Sequence, residues 1–141
     1  MGEQIVIREA PEILDPVALL EELDTTSCGA VVSFLGLTRP TEGVSDVFYL
    51  EFDAWQSHLE PVLRTLAQSA IQTYGVSAVA MSHRVGKVLP HDAIVSIHVG
   101  SRHRKEAFAA CSWLIDELKQ QAPIWKKEVT SSGEVWKEGL G

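Results

Sequence analysis

Cysteine is scarce in this sequence: of 141 residues only Cys28 and Cys111 carry thiols, far apart and outside any CxxC spacing. That argues against a disulfide framework or a thiolate metal site and reads as two reduced, buried small side chains. His83, His91 and His98 lack HExxH or any other metal-ligating spacing, so no metal is expected. Long apolar runs are missing too, and none approaches membrane-spanning length. The opening Met1-Gly2-Glu3-Gln4 has neither the basic nor the apolar region of a secretory signal, so the expected location is cytoplasmic, with no membrane partner. Repeats, linkers and low-complexity stretches are absent. Bases are in deficit, 12 Lys and Arg against 19 Asp and Glu, which argues against general nucleic-acid binding.

What is present fits one domain over residues 1–141. A hydrophobic content of 45% with 22% charged residues describes an ordinary globular chain with a single core. Its few bases are unevenly placed. Residues 1–60 hold twelve acids and only Arg8 and Arg39, whereas residues 102–127 hold Arg102, Arg104, Lys105, Lys119, Lys126 and Lys127 against three acids. One local basic patch on an acidic chain points to a small anionic ligand rather than a polyanion.

Periodicity divides the chain into alternating elements. A strand is expected over residues 4–8, then a helix over 11–24 that Asp15 caps and Pro16 opens. A buried strand is expected over 28–37, an exposed loop over 38–46, and a strand over 47–52 that pairs with the previous one. A long amphipathic helix over 54–74 closes at Gly75. Strands over 76–88 and 93–100 are joined by a turn at 89–92. A second long helix runs over 104–120, a strand follows from Ile124, and a last short strand covers 134–137. The expected fold class is α+β, mainly antiparallel sheet with two long helices.

Two places in this pattern gather charge. Pro123 cannot continue the second long helix, and beyond it the period becomes two, so Ile124, Lys126 and Glu128 share one strand face. Lys119 and Lys126 then lie on opposite arms of one bend, where two ammonium groups repel unless an anion sits between them. Taken singly, each also reads as a surface lysine. At the other end of the helix, Arg102, Arg104 and Lys105 oppose the macrodipole, a placement that a bound oxyanion would favour and that solvent screening would also permit. Arg39 sits where a strand meets a loop, a common position for binding residues.

Three segments carry a resemblance: Gly-Ala-Val-Val-Ser-Phe-Leu-Gly-Leu-Thr-Arg at 29–39, Ser-Arg-His-Arg-Lys-Glu-Ala-Phe at 101–108, and Leu-Lys-Gln-Gln-Ala-Pro-Ile-Trp-Lys-Lys-Glu at 118–128. With His-Arg-Val-Gly at 83–86 and Leu-Glu-Phe at 50–52, they resemble the molybdopterin synthase catalytic (large) subunit family, the MoaE family. The resemblance implies the family's α/β-hammerhead fold with a small β subdomain. It also implies a sulfurtransferase that inserts two sulfurs into cyclic pyranopterin monophosphate, forming the dithiolene of molybdopterin for the molybdenum cofactor. No cofactor is bound by such a chain. Sulfur is supplied as a thiocarboxylate on the C-terminal Gly-Gly of a small ubiquitin-like carrier subunit, in a heterotetramer built on a homodimer of the large subunit.

Carried over by position, Leu37, Thr38 and Arg39 match the family's first substrate-binding segment, His103 and Arg104 the second, and Lys119, Lys126, Lys127 and Glu128 the remainder. The resemblance implies that Arg39, His103 and Arg104 hold the phosphate, that Lys119 orients the thiocarboxylate or stabilises its oxyanion, and that Lys126 transfers protons. Arg102 adds a base beside the His-Arg pair, and Trp-Gln-Ser-His at 55–58 departs from the family's usual segment. The ending Gly139-Leu140-Gly141 implies a shorter tail than in some relatives, and a chain other than the Gly-Gly carrier. The alternative, from the residues alone, is a non-catalytic phosphate- or pterin-binding module built on the same basic cluster.

Overall fold

A computed structural model describes residues 2–43 and 45–137. The first sheet begins with β1 (Ile5–Ala10), which pairs in parallel with β5 (Ala78–Arg84). Antiparallel to β5 lies β7 (Ala93–Ser101), and antiparallel to β7 lies β2 (Ala30–Leu37) at the edge. One face of this sheet is covered by α2 (Gln56–Tyr74) and α3 (Arg104–Gln121). Leu59, Leu63 and Leu66 from α2 meet Ala107, Leu114 and Leu118 from α3 and Met81, Ile97 and Val99 from the strands, forming the main core. A smaller cluster of Val6, Leu19, Leu23, Ala78 and Ala80 seals part of the opposite face beneath α1 (Pro16–Glu21).

The second sheet centres on β4 (Ser45–Ala54) and β8 (Ile124–Thr130), antiparallel neighbours. A short strand, β3 (Thr41–Glu42), folds back on β4 through Gly43, whose φ of 62° suits a turn. On the other side of β8 lies β9 (Gly133–Lys137). The predominantly antiparallel α+β class read from the sequence is therefore the observed one. Among the described residues no helix is long and apolar enough to cross a membrane.

Four details differ from the sequence reading. The first helix is shorter than residues 11–24: Asp15 accepts from the Ala18 amide at 3.1 Å, so residues before this cap lie outside the helix. Its far end is cut short because Glu3 exchanges backbone hydrogen bonds with Glu22 and Asp24. The single strand expected over 76–88 is two strands, since Gly86 at φ 86° diverts β6 (Gly86–Val88) to pair with β4. β4 does not pair with β2. The β3 turn carries it into the second sheet, where Val47, Leu50 and Phe52 face the core. Finally, β2 is half-buried rather than buried: α3 covers the face bearing Val32 and Phe34, while Val31, Leu35 and Leu37 on the other face stay exposed.

Candidate functional site

The bend that ends α3 is held on both sides. Ala122 turns to an extended conformation before Pro123, its amide still donating to the Leu118 carbonyl at 2.9 Å, while the Pro123 carbonyl accepts from the Trp55 amide at 2.9 Å. The chain enters β8 from this fixed point, and the strand's period of two buries Ile124, Lys126 and Glu128 together. Above that face is a cavity of about 380 Å³. One wall comes from the end of β2 and the residues beyond it, including Leu37, Thr38 and Arg39; α3 contributes Ile115 and Lys119, and β8 contributes Lys126 and Glu128.

The cavity is unusual for the polar groups it encloses. Lys126 is only 8% exposed and Glu128 4%, burial that charged side chains tolerate only when compensated. Glu128 is compensated by Lys137, whose Nζ lies 3.2 Å from Oε1. Thr38 is 3% exposed, and its backbone is clamped: its amide donates to the Asp92 carbonyl at 3.0 Å and its carbonyl accepts from the His91 amide at 2.8 Å. Its hydroxyl oxygen is buried with no hydrogen-bond partner among the described residues. A buried hydroxyl left unsatisfied costs free energy that a polar ligand would recover. With Arg39, Lys119 and Lys126 on the walls, the cavity can hold an anionic ligand by charge-assisted hydrogen bonds and move a proton at an ammonium group.

The structure thus brings together Leu37, Thr38, Arg39, Lys119, Lys126 and Glu128. Lys127 does not join them. It points to the other face of β8, where its Nζ lies 3.0 Å from Glu51 and 5.6 Å from the centre of the Trp136 ring. The hydrogen bond to Glu51 holds its ammonium above the ordinary lysine range, with Glu134 adding to the effect. His103 and Arg104 are exposed at the opposite end of α3, about 22 Å from Lys119 at 1.5 Å per residue. The tail at 139–141 lies outside the described residues.

Neither thiol is among the cavity's lining residues. Cys111 is buried in the core, and burial pushes its thiol up to about 11. Lys137 was not singled out from the sequence, although a signal existed. The hairpin that sets Thr130 opposite Gly133 places Lys137 opposite Lys126 by simple counting. Among the described residues no three His, Cys, Asp or Glu side chains gather as a metal site.

Comparison with known proteins shows what the chain as a whole is similar to. The family model described as MoaE protein matches residues 9–121. A molybdopterin synthase catalytic subunit from Ralstonia nicotianae is 42% identical over 108 residues, covering 77% of this chain and 61% of the relative's length. Among solved structures, molybdopterin synthase from Staphylococcus aureus superposes with a TM-score of 0.86 at 30% identity, covering 96% of both chains. A complex of subunits 1 and 2 of molybdopterin-converting factor from Helicobacter pylori contains a chain that matches with a TM-score of 0.76 at 25% identity, covering 94% of this chain and 90% of that one.

Proposed function

We propose a function from one premise: the chain belongs to the MoaE protein family. It acts as the catalytic subunit of a molybdopterin synthase, transferring sulfur from the C-terminal thiocarboxylate of a small ubiquitin-like carrier to cyclic pyranopterin monophosphate. The observation that carries this reading is the cavity itself, which presents Arg39, Lys119 and Lys126 but no thiol. A cavity that offers cations but no sulfur of its own suits a reaction whose sulfur arrives from outside. The Helicobacter pylori complex of two subunits supports a small-subunit partner. Two free cysteines agree with a cytoplasmic setting, where thiols persist reduced.

In this mechanism Arg39 and the Thr38 hydroxyl hold the substrate's phosphate end. Lys119, in the last turn of α3 where the helix favours a cation, orients the incoming thiocarboxylate. Its sulfur forms a carbon–sulfur bond to the pterin side chain as the carbon–oxygen bond to the cyclic phosphate breaks, so that the ring opens and the oxygen leaves on the phosphate, with Lys126 handling the proton. Water then opens the resulting thioester, so that sulfur stays on the pterin and the carrier leaves as a carboxylate. A second carrier adds its sulfur at the neighbouring carbon, whose oxygen leaves as water while the first carbon loses a proton, and hydrolysis of that thioester completes the dithiolene. Lys119 stabilises the oxyanion formed at the carrier's carbonyl during that hydrolysis. His103 and Arg104 cannot reach their own chain's cavity along α3. A second copy with its α3 antiparallel would supply them, which makes the working unit a homodimer carrying two small subunits.

The test is to mix the protein with thiocarboxylated carrier and cyclic pyranopterin monophosphate and to measure molybdopterin through the fluorescence of its oxidised derivative. Product is expected. Its absence, with a carrier shown to be active on another synthase, overturns the assignment.

A further inference from the structure

Thr38 owes its place in the cavity wall to a turn that lies outside the segments carrying the family resemblance. β2 and β7 lose their regular register just before it: Val95 stands opposite Gly36 but Ala93 stands opposite Leu37, which leaves Ile94 as an extra residue. Ile94 and Val95, neighbours that a regular strand would turn to opposite faces, both line the cavity. Ahead of β7 the chain makes a turn over 89–92, closed by the Asp92 amide donating to the Leu89 carbonyl at 3.1 Å. Its second residue is Pro90 and its third, His91, has a φ of 71°, the pattern of a type II turn, where glycine is the favoured third residue. Among the described residues His91 alone combines a side chain with a positive φ. Its imidazole is exposed and is not among the cavity's lining residues. What it supplies is its backbone: its amide donates to the Thr38 carbonyl at 2.8 Å, while the Asp92 carbonyl accepts from the Thr38 amide at 3.0 Å. Two residues on, the Pro40 carbonyl accepts from the Val47 amide at 2.9 Å, so the segment 38–40 is fixed at both ends.

We propose that His91 is a positioning residue: in its left-handed conformation it presents the amide that pins Thr38, and so keeps the Thr38 hydroxyl at the cavity wall where an anionic ligand meets it. The proposal rests on the reading of Thr38 as a ligand-holding residue. With the turn relaxed, the Thr38 backbone could rotate, and its hydroxyl, which has no hydrogen-bond partner among the described residues, would leave the wall for water. The clamp therefore maintains an unsatisfied buried group that a bound ligand satisfies. Backbone strain of this kind persists only where the surrounding structure holds it, and it gathers at functional sites.

The test compares wild type with His91→Val, His91→Ala, His91→Gly, Thr38→Val and the double variant His91→Val/Thr38→Val. Hydrogen exchange of the Thr38 amide is followed by NMR in the protein without ligand, and affinity for cyclic pyranopterin monophosphate is measured by calorimetry. Valine tolerates the left-handed conformation least and glycine best. In His91→Val the Thr38 amide should exchange roughly tenfold faster and the ligand should bind roughly tenfold more weakly. His91→Ala should lie between, and His91→Gly should match wild type in both. Thr38→Val should also weaken binding roughly tenfold. The double variant should bind about as Thr38→Val does, whereas independent effects would multiply to about a hundredfold. A purely structural turn would shift the melting temperatures of the His91 variants without this coupling. Unchanged exchange at Thr38 in His91→Val, a loss of binding in His91→Gly equal to that in His91→Val, or multiplied losses in the double variant overturns the proposal. The exchange measurement needs no ligand, so it decides whether His91 holds Thr38 even if wild type fails to bind the pterin, which would count against the function alone.

Discussion

Lowering the pH should loosen this fold through His83. The ring is 2% exposed, Nδ1 lies 2.6 Å from the Arg84 carbonyl, and its plane meets Phe52 edge-on at 5.2 Å. Burial pushes the imidazole down from 6.5 to about 4. The unfolded chain therefore binds a proton below pH 6.5 that the folded core refuses until about pH 4. The stability is complete above pH 6.5 and is lost as the pH falls through that interval. Crossing all of it costs about 3 kcal/mol, of which about 2 kcal/mol is gone by pH 5. Urea unfolding of wild type and His83→Gln at pH 7.5 and 5.0 isolates the effect. Burial lowers His98 as well, and other groups titrate too, but they are common to both proteins and cancel in the difference. Wild type should lose about 2 kcal/mol more than the variant over that step. An equal loss in the two proteins would refute the assignment of the effect to His83.

Lys119→Ala should lower turnover by a hundredfold or more, on the order of an oxyanion-stabilising group, while substrate affinity measured by calorimetry falls far less. Affinity largely kept, with no turnover even in wild type, would favour the binding-module alternative. Gly36→Ala should destabilise by about 1–3 kcal/mol in a thermal melt, because its new Cβ would come within 2.5 Å of Val95 Cγ1, a stiff β-branched side chain in the cavity wall. A melt indistinguishable from wild type would show that β2 can shift away from β7.

The bend was legible in the sequence because its causes are local. Pro123 stops a helix, and the change of period turns Lys126 and Glu128 to one face whatever lies opposite. The Asp15 cap and the Gly75 terminus are local in the same way, and both are found, with Gly75 at φ 71°. Strand partners are a different matter. Alternation in β4 identifies its buried face, but the same alternation fits β2 or β8 as neighbour, and only the turn at β3 and the packing of Val47, Leu50 and Phe52 decide between them. The edge position of β2 was hidden for a related reason: a run of apolar residues looks the same whether one or two strands flank it. The separation of His103 and Arg104 from Lys119 was available by counting turns of α3, and the place of Lys137 by counting across a hairpin. Both needed a distance or a register, which residue type alone does not supply.

The cavity takes one wall from the end of β2 and the other from α3 and β8, elements near opposite ends of the chain. During synthesis the early wall therefore exists long before the late one. A chain released after α3 lacks Lys126 and Glu128 altogether, and with them the wall of the cavity that β8 supplies. The same arrangement makes the ligand a reporter of completed folding, since whatever spans the two walls stabilises the closure of the whole chain between them.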